Sequence, residues 1–72
     1  MNALQRAVDI AGSQTALAKA IAVKQQNVWY WLDRGGEVPA EHVLAIEQAT
    51  EGKVSRHDLR PDVFGPAPEV VA

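Results

Sequence analysis

The fold is decided by residues 12–32, which read GSQTALAKAIAVKQQNVWYWL. Ser13 is a preferred helix N-cap, and apolar residues follow it at the spacing of one helical face. The pattern breaks briefly in the middle of this stretch and then resumes, which predicts two short helices over 14–21 and 25–33. Two helices joined by such a tight turn cross at a large angle, so the second can project from the surface. The predicted inward positions are Leu17, Ala18, Ile21, Val28, Trp31 and Leu32.

Three further helices complete the prediction. Residues 2–11 have apolar side chains at helical spacing and form the first helix, which Asn2 can cap. Pro39 suits the start of a fourth helix, because its missing N–H has no partner there in any case. Ser55 and Asp58 form a capping-box pattern that opens a short fifth helix, which Pro61 closes. The sequence therefore predicts an all-α fold of five short helices.

The composition changes at residue 61. Residues 61–72 contain three prolines and one glycine, a content that opposes regular structure. We expect this segment to be an extended or disordered tail, with Phe64 packed onto the core. The predicted division is a helical domain over 1–60 and a flexible tail over 61–72.

Length and composition exclude several classes of protein. The chain has 72 residues and no cysteine, which rules out disulfides and cysteine-based zinc sites. His42 and His57 are far apart, so no metal site is predicted. No stretch is long and apolar enough for a membrane span, and no signal-peptide pattern is present, which indicates a cytoplasmic domain. So short a chain can hardly enclose a water-free catalytic pocket, and no nucleophile–base spacing or Gly-rich phosphate loop occurs. We predict neither catalysis nor a cofactor.

Charge is divided unevenly along the chain. The total is 7 basic and 9 acidic residues, a net charge of −2. Residues 1–36 hold four basic and two acidic side chains, whereas residues 37–72 hold three basic and seven acidic ones. An acidic total argues against a non-specific binder of polyanions. A site-specific binder of DNA or RNA is still compatible with this net charge, because phosphate attraction depends on where the charges lie.

The outward positions of the third predicted helix have a selective chemistry. Glutamine and asparagine amides match the N6/N7 edge of adenine, lysine reaches guanine or phosphate, and an aromatic ring can contact a thymine methyl group. Gln14, at the start of the preceding helix, and Arg34, after the third helix, are placed to touch phosphates. The candidate DNA-binding residues are Gln14, Lys24, Gln25, Gln26, Asn27, Trp29, Tyr30 and Arg34.

Structural interpretations of the same residues stay open. Amide side chains on a helix surface are usually just solvated. Arg34 serves equally well as a cation at the negative end of the helix dipole. Arg56, His57 and Arg60 form a basic cluster that Asp58 and Asp62 can neutralise locally, which indicates a structural role for it.

Residues 12–32 resemble the helix-turn-helix of phage Cro repressors and of the related YdaS-type antitoxin family. The run from Val38 to Phe64 resembles the rest of that family's domain, with Val-Pro-Ala-Glu at 38–41 and Arg-His-Asp-Leu-Arg-Pro-Asp at 56–62. The likeness covers residues 3–64. It implies a lambda-repressor-like helix-turn-helix domain over 1–60 that binds a double-stranded DNA operator as a dimer and represses transcription. It implies a protein of the bacterial cytoplasm that associates with the nucleoid and whose gene can belong to a phage.

The sequence departs from the family pattern at several places. Ala22 stands where glycine is usual, so a left-handed backbone there would cost about 1 kcal/mol. Lys24 replaces the usual serine or threonine cap, which costs about 1 kcal/mol but adds a cation. Glu37 lies where a basic residue is common. Trp29 and Tyr30 are bulkier than the usual pair, which predicts a different base preference.

Two functions from different classes follow from the sequence. The first is a sequence-specific repressor, dimeric because one short helix makes too few base contacts for tight binding and half-sites about 34 Å apart are the usual remedy. Its dimer can be weak in solution and complete only on DNA. The alternative is an antitoxin or protein-interaction module whose main partner is another protein, such as a toxin, bound by the tail after residue 61.

Overall fold

The computed structural model describes residues 2–66, and six helices follow one another in this part of the chain. Within it no residue forms a strand. The prediction of an all-α fold is confirmed, and the predicted number of five helices is one too low. The helices are α1 (Ala3–Ala11), α2 (Gln14–Ala20), α3 (Gln25–Asp33), α4 (Ala40–Ala49), α5 (Arg56–Leu59) and α6 (Pro61–Phe64).

The sixth helix lies in the segment predicted to be extended. Pro61 occupies the first position of α6, where its fixed φ favours a helix start. Phe64 packs against the core, as predicted. The expectation of an extended chain is therefore wrong for residues 61–64, because a proline that closes one helix can open the next. Residues 67–72 of the predicted tail lie outside the described residues, and the division of the chain at residue 60 stays a prediction.

The first two helices begin at the caps that the sequence predicted. The Asn2 side-chain oxygen accepts a hydrogen bond from the Gln5 N–H at 2.8 Å, and the Ser13 hydroxyl accepts one from the Ala16 N–H at 3.0 Å. Gly12 ends α1 with a φ of +109°, a conformation that glycine adopts without steric cost. These local signals set α2 immediately after α1.

The turn between α2 and α3 is short and strained. The Val23 N–H donates to the Ala18 carbonyl at 2.9 Å, which closes the end of α2. Ala22 has a φ of +61°, so the backbone is left-handed at the position where the family usually has glycine. That conformation costs a non-glycine residue about 1 kcal/mol. Ala18 is fully inside the core, and its small side chain leaves room for α3 to pack on α2.

A single apolar core connects the helices, and it includes most of the predicted inward residues. Leu32 is only partly buried, against the edge of this core. The buried members are Leu4, Ala7, Val8, Leu17, Ala18, Ile21, Val28, Trp31, Val38, Val43, Ile46, Val54 and Leu59.

The link between α4 and α5 is held by hydrogen bonds. The Thr50 hydroxyl is buried, lies 3.0 Å from the Ile46 carbonyl and accepts a bond from the Val54 N–H at 3.2 Å. The capping box predicted at the start of α5 is confirmed. The Ser55 hydroxyl accepts from the Asp58 N–H at 3.2 Å, and the Asp58 carboxylate accepts from the Ser55 N–H at 3.1 Å. The hydrogen bond from the Ser55 backbone is the main cause that lowers the pKa of Asp58.

The basic cluster of α5 has mostly structural partners. The Arg56 guanidinium donates to the Glu47 carboxylate at 2.9 Å, and the Arg56 N–H donates to the same group at 3.1 Å. These bonds lower the pKa of Glu47. His57 Nδ1 lies 3.0 Å from the Gly65 carbonyl. The predicted structural interpretation holds, although Glu47, rather than Asp58, is the partner of Arg56.

Candidate nucleic-acid interface

The start of α3 carries a group of exposed polar side chains. Lys24 is the N-cap residue, and its side chain makes no capping hydrogen bond. Gln25, Gln26 and Asn27 follow in the first turn, and all three are exposed. The prediction that these four side chains point outward is confirmed. Their donors and acceptors face solvent at one end of a short helix.

Gln14 connects this group to the start of α2. It is half-buried at the first position of that helix, and its side-chain oxygen accepts a hydrogen bond from the Gln25 side-chain nitrogen at 2.7 Å. The bond joins the starts of α2 and α3, where the sequence predicts contacts with phosphates and bases. It also restrains the Gln25 amide, which otherwise would rotate freely in solvent.

The aromatic residues of α3 divide between surface and core. Trp29 and Tyr30 are 54% and 48% exposed, whereas Trp31 is only 7% exposed. The Trp31 ring centre lies 5.3 Å from that of His42 on α4, with the planes 34° apart. This pair joins α3 to α4, so the predicted core role of Trp31 is confirmed. Both large aromatic side chains before it remain on the outer side of the helix.

Arg34 caps the other end of α3 and pairs with one of these rings. Its guanidinium carbon lies 4.5 Å from the centre of the Tyr30 ring, the geometry of a cation–π contact. The contact brings together two residues predicted to touch DNA. It leaves both earlier interpretations of Arg34 open, the phosphate contact and the helix-dipole partner.

The loop after α3 is braced by α1. The Asn2 side-chain nitrogen donates to the Gly35 carbonyl at 3.4 Å. Gly36 has a φ of +86°, and a Cβ atom there would lie 2.6 Å from the same nitrogen. A side chain there would displace the Asn2 amide and would hold a φ that L residues rarely adopt. Asn2 is thus both the cap of α1 and a support for the end of α3, a second role that no local sequence pattern indicates.

Glu37, which stands where the family commonly has a basic residue, lies beside Arg60. The closest oxygen–nitrogen distance between them is 3.5 Å. Arg60 also binds the Asp62 carboxylate at 2.8 and 3.0 Å and the Val38 carbonyl at 2.8 Å. The hydrogen bonds with Asp62 raise the pKa of Arg60, and those with Arg60 lower the pKa of Asp62. Arg60 therefore ties the α3–α4 loop to α6.

Asp33, the last residue of α3, was not among the predicted contacts. It is exposed, and helical spacing places it on the same side as Gln26, seven positions earlier, and Tyr30, three positions earlier.

A shallow cleft of about 310 Å³ lies next to this face. Its lining combines the stacked side chains of Tyr30 and Arg34 with the α3–α4 loop, which Arg60 holds in place. The lining residues are Tyr30, Trp31, Arg34, Glu37, Pro39 and Arg60.

Among residues 2–66, no three histidine or acidic side chains lie close enough together to hold a metal ion. In the same range no helix has the length and apolar character needed to cross a membrane.

The chain is similar to known proteins in sequence and in structure. A protein of Escherichia coli (strain K12) named "Putative transcriptional regulator YdaS" is 37% identical over 59 residues, which are 82% of this chain and 60% of that protein. The chain thus spans about 60% of the length of this curated relative. A solved structure of "the Cro protein from putative prophage element Xfaso 1 in Xylella fastidiosa strain Ann-1" has a TM-score of 0.86 and 46% identity. That match covers 90% of this chain and 98% of the other.

The family match extends over nearly the whole domain. Residues 4–68 match the family described as "Bacterial toxin YdaS". This range contains all the helices from α2 to α6 and most of α1. The resemblance predicted from the sequence is confirmed, and the chain belongs to the YdaS family and has the fold of a Cro protein.

Proposed function

We propose that the chain is a sequence-specific double-stranded DNA-binding transcriptional repressor that binds a palindromic operator as a dimer. One observation carries the proposal: Gln25, Gln26 and Asn27 stand exposed at the start of α3, the end of a helix that enters the major groove in helix-turn-helix proteins. The names of two relatives, a transcriptional regulator and a Cro protein, support it. Repression would follow from occupying promoter DNA in the bacterial cytoplasm, with no catalytic step and no cofactor.

Base reading is assigned to the outer face of α3. Gln26 and Asn27 each present a donor and an acceptor that match the N6/N7 edge of adenine. Trp29 presents an apolar surface large enough to contact a thymine methyl group. Gln25 shares its amide with Gln14, so its free hydrogen-bonding capacity is smaller and its position more fixed.

Phosphate contacts are assigned to the two ends of α3 and to the start of α2. Lys24 lies before the first turn of α3 and Arg34 after the last one. Tyr30 supports the Arg34 guanidinium by stacking, and Gln14 lies at the start of α2. Contacts of this kind fix the position of the protein on the duplex, while the base edges specify the sequence.

The dimer is proposed because one recognition helix buries little DNA surface. Two copies on half-sites about 34 Å apart double the base contacts. Exposed apolar side chains on α1 and α4 are candidates for the protomer contact. They are Ile10 and Leu44.

The test is selection of bound sequences from a random duplex pool, followed by affinity measurements on the selected duplex. A half-site repeated with two-fold symmetry is expected. Gln26→Ala and Asn27→Ala should each weaken binding by about 1–3 kcal/mol and relax the preference at the base they contact. Gln48→Ala, which removes an exposed amide from α4, is the matched control and should bind as the natural chain does. Failure to select any sequence would rule the proposal out.

A second candidate is an antitoxin or other module that binds a partner protein such as a toxin. The exposure of Val63, which is half exposed on α6, favours this function, because α6 lies outside the proposed DNA-binding helices. The two functions separate experimentally. A Val63→Ser variant would lose the protein partner and keep DNA affinity, whereas Asn27→Ala would do the reverse.

A further inference from the structure

The Asn2 side chain is bonded at two places, one in its own helix and one in the loop after α3. Its oxygen accepts a hydrogen bond from the Gln5 N–H at 2.8 Å, and its nitrogen donates to the Gly35 carbonyl at 3.4 Å. The second bond joins residues 33 positions apart in the chain. An amide has a separate acceptor and donor, so one side chain can cap α1 and bind the loop at the same time.

Packing at Gly36 shows the same contact independently of the hydrogen bond. Gly36 is buried although it lies in a loop. A Cβ atom placed there would lie 2.6, 2.7 and 3.0 Å from three atoms of the Asn2 side chain. The Asn2 amide therefore covers the Gly36 backbone directly, and the loop and the start of α1 fit each other closely.

The loop has little stiffness of its own. Gly35 and Gly36 have φ values of +83° and +86°, and glycine is the residue with the most backbone freedom to lose. The peptide unit between them is held at both ends. Its N–H donates to the Trp31 carbonyl of α3 at 2.8 Å, and its C=O accepts the bond from Asn2. Loss of Asn2 would leave this unit restrained from the α3 side alone.

Arg34 comes directly before this peptide unit. Its guanidinium lies over the Tyr30 ring at 4.5 Å, and the proposed function assigns it a phosphate contact. The direction of its side chain thus depends on the ring below it and on the backbone that follows it. A loop that moves freely would have to be ordered when the protein binds, and this ordering weakens affinity.

We infer that Asn2 is a positioning residue for DNA binding. By holding the Gly35–Gly36 peptide, it keeps Arg34 oriented toward a phosphate of the half-site. Asn2 itself touches no DNA in this arrangement and acts through the loop. The start of α1, which lies outside the α2–α3 pair, therefore takes an indirect part in binding. This inference rests on the proposed function.

The experiment measures Asn2→Ser on the selected operator duplex by fluorescence anisotropy over a range of salt concentrations. Serine caps a helix about as well as asparagine, but it has no second polar atom for the Gly35 carbonyl. Operator affinity should fall about threefold or more, the effect of one lost neutral hydrogen bond. The slope of log affinity against log salt should become shallower, by about 0.9 if the phosphate contact is lost entirely. Base preference should stay the same, because phosphates carry no sequence information.

A double-mutant cycle with Arg34→Ala separates positioning from a general structural effect. Arg34→Ala alone should make the salt slope shallower by about 0.9. In that background Asn2→Ser should change operator affinity by less than about 1.5-fold, because the contact that it positions is already absent. A purely structural role for Asn2 would lower the affinity equally in both backgrounds.

Ser55→Ala is the matched control for the stability of the fold. It removes the hydroxyl that accepts the Asp58 N–H at the start of α5, so it destabilises a helix outside the proposed DNA-binding face. The midpoint of urea denaturation should fall, while operator affinity and salt slope stay those of the natural chain. Asn2→Ser should show the reverse pattern, with a midpoint closer to that of the natural chain and weaker binding.

Each outcome decides the inference. Weaker binding and a shallower salt slope in Asn2→Ser, both absent in the Arg34→Ala background, support it. Natural affinity in Asn2→Ser, or effects of the two substitutions that simply add, overturn it. An unchanged slope in Arg34→Ala also overturns it, since no phosphate contact then exists for Asn2 to position. A natural chain that binds no duplex refutes the proposed function instead, and the selection experiment shows this before any variant is prepared.

Discussion

The α2–α3 pair and the segment from α4 to α6 use their polar side chains in opposite ways. In the second segment, Arg56, Arg60 and Thr50 all bond to groups inside the protein. In the first, Lys24 and Gln26 face solvent, and the turn keeps a strained Ala22. The polar side chains of α4 to α6 stabilise the fold, whereas those at the start of α3 are available to bind a partner. The comparison separates side chains that hold the domain together from those that can bind a partner.

The largest expected effect is a loss of stability when an internal hydrogen bond of the α4–α6 segment is broken. Thr50→Val keeps the shape but leaves the buried Val54 N–H without its acceptor. The free energy of unfolding should fall by about 2 kcal/mol, measured by urea denaturation. Thr15→Val is the matched control, since Thr15 is exposed on α2, and it should change stability by less than about 0.5 kcal/mol. Equal effects of the two variants would contradict the assignment of Thr50.

An intermediate effect should appear in the first region, with stability and binding moving in opposite directions. Lys24→Ser supplies the side-chain cap that α3 lacks, which should raise the free energy of unfolding by about 1 kcal/mol. It also removes a cation from the proposed DNA-binding face. The slope of log affinity against log salt should become shallower by about 0.9 for one lost phosphate contact.

Lys53→Ser controls for the loss of charge in that experiment. Lys53 is exposed in the turn after α4, so its replacement should neither stabilise α3 nor change the salt slope. A Lys24→Ser variant that is more stable but has an unchanged slope would remove Lys24 from the phosphate contacts. A variant that is no more stable would show that a serine side chain at this N-cap does not bond to the N–H groups of the first turn of α3.

The smallest expected effect is on stability in acid, which depends on carboxylates of the α4–α6 segment. Glu47 and Asp58 have pKa values lowered from the ordinary 4.5 and 3.8 by their hydrogen bonds. A carboxyl whose pKa is lower in the folded state stabilises the fold above its unfolded pKa, and this contribution is lost as the pH falls through the folded value. Unfolding free energy should therefore decrease from about pH 5 downward.

Replacement of Asp58 locates part of that decrease. Asp58→Asn should flatten the acid limb of a plot of unfolding free energy against pH, because one group with a lowered pKa is absent. Gln26→Ala, on the exposed face of α3, carries no titrating group and should leave the limb unchanged. An identical acid limb in Asp58→Asn and the natural chain would show that the capping box does not contribute to acid stability.

The starts and ends of the helices could be predicted because their signals are local. Ser13 caps a helix through the N–H of Ala16, three positions later, and the Ser55–Asp58 box spans the same distance. Side-chain periodicity likewise separated Trp31 from Trp29 and Tyr30. The candidate residues at the start of α3 were found in this way, and their role in binding DNA stays a prediction.

One local interpretation failed, because one residue permits two outcomes. Pro61 ends α5, and the same missing N–H and fixed φ make it a good first residue for α6.

The residue order alone predicts where each of the first five helices begins, which side of α3 is apolar, and which family the chain resembles. The long-range partners appear only in the folded domain, such as Gln25 with Gln14, Arg56 with Glu47, and Asn2 with the loop at Gly35. The reason is distance along the chain. Caps and periodicity act within about four residues, whereas these contacts join groups 9 to 33 positions apart that only packing of the helices brings together.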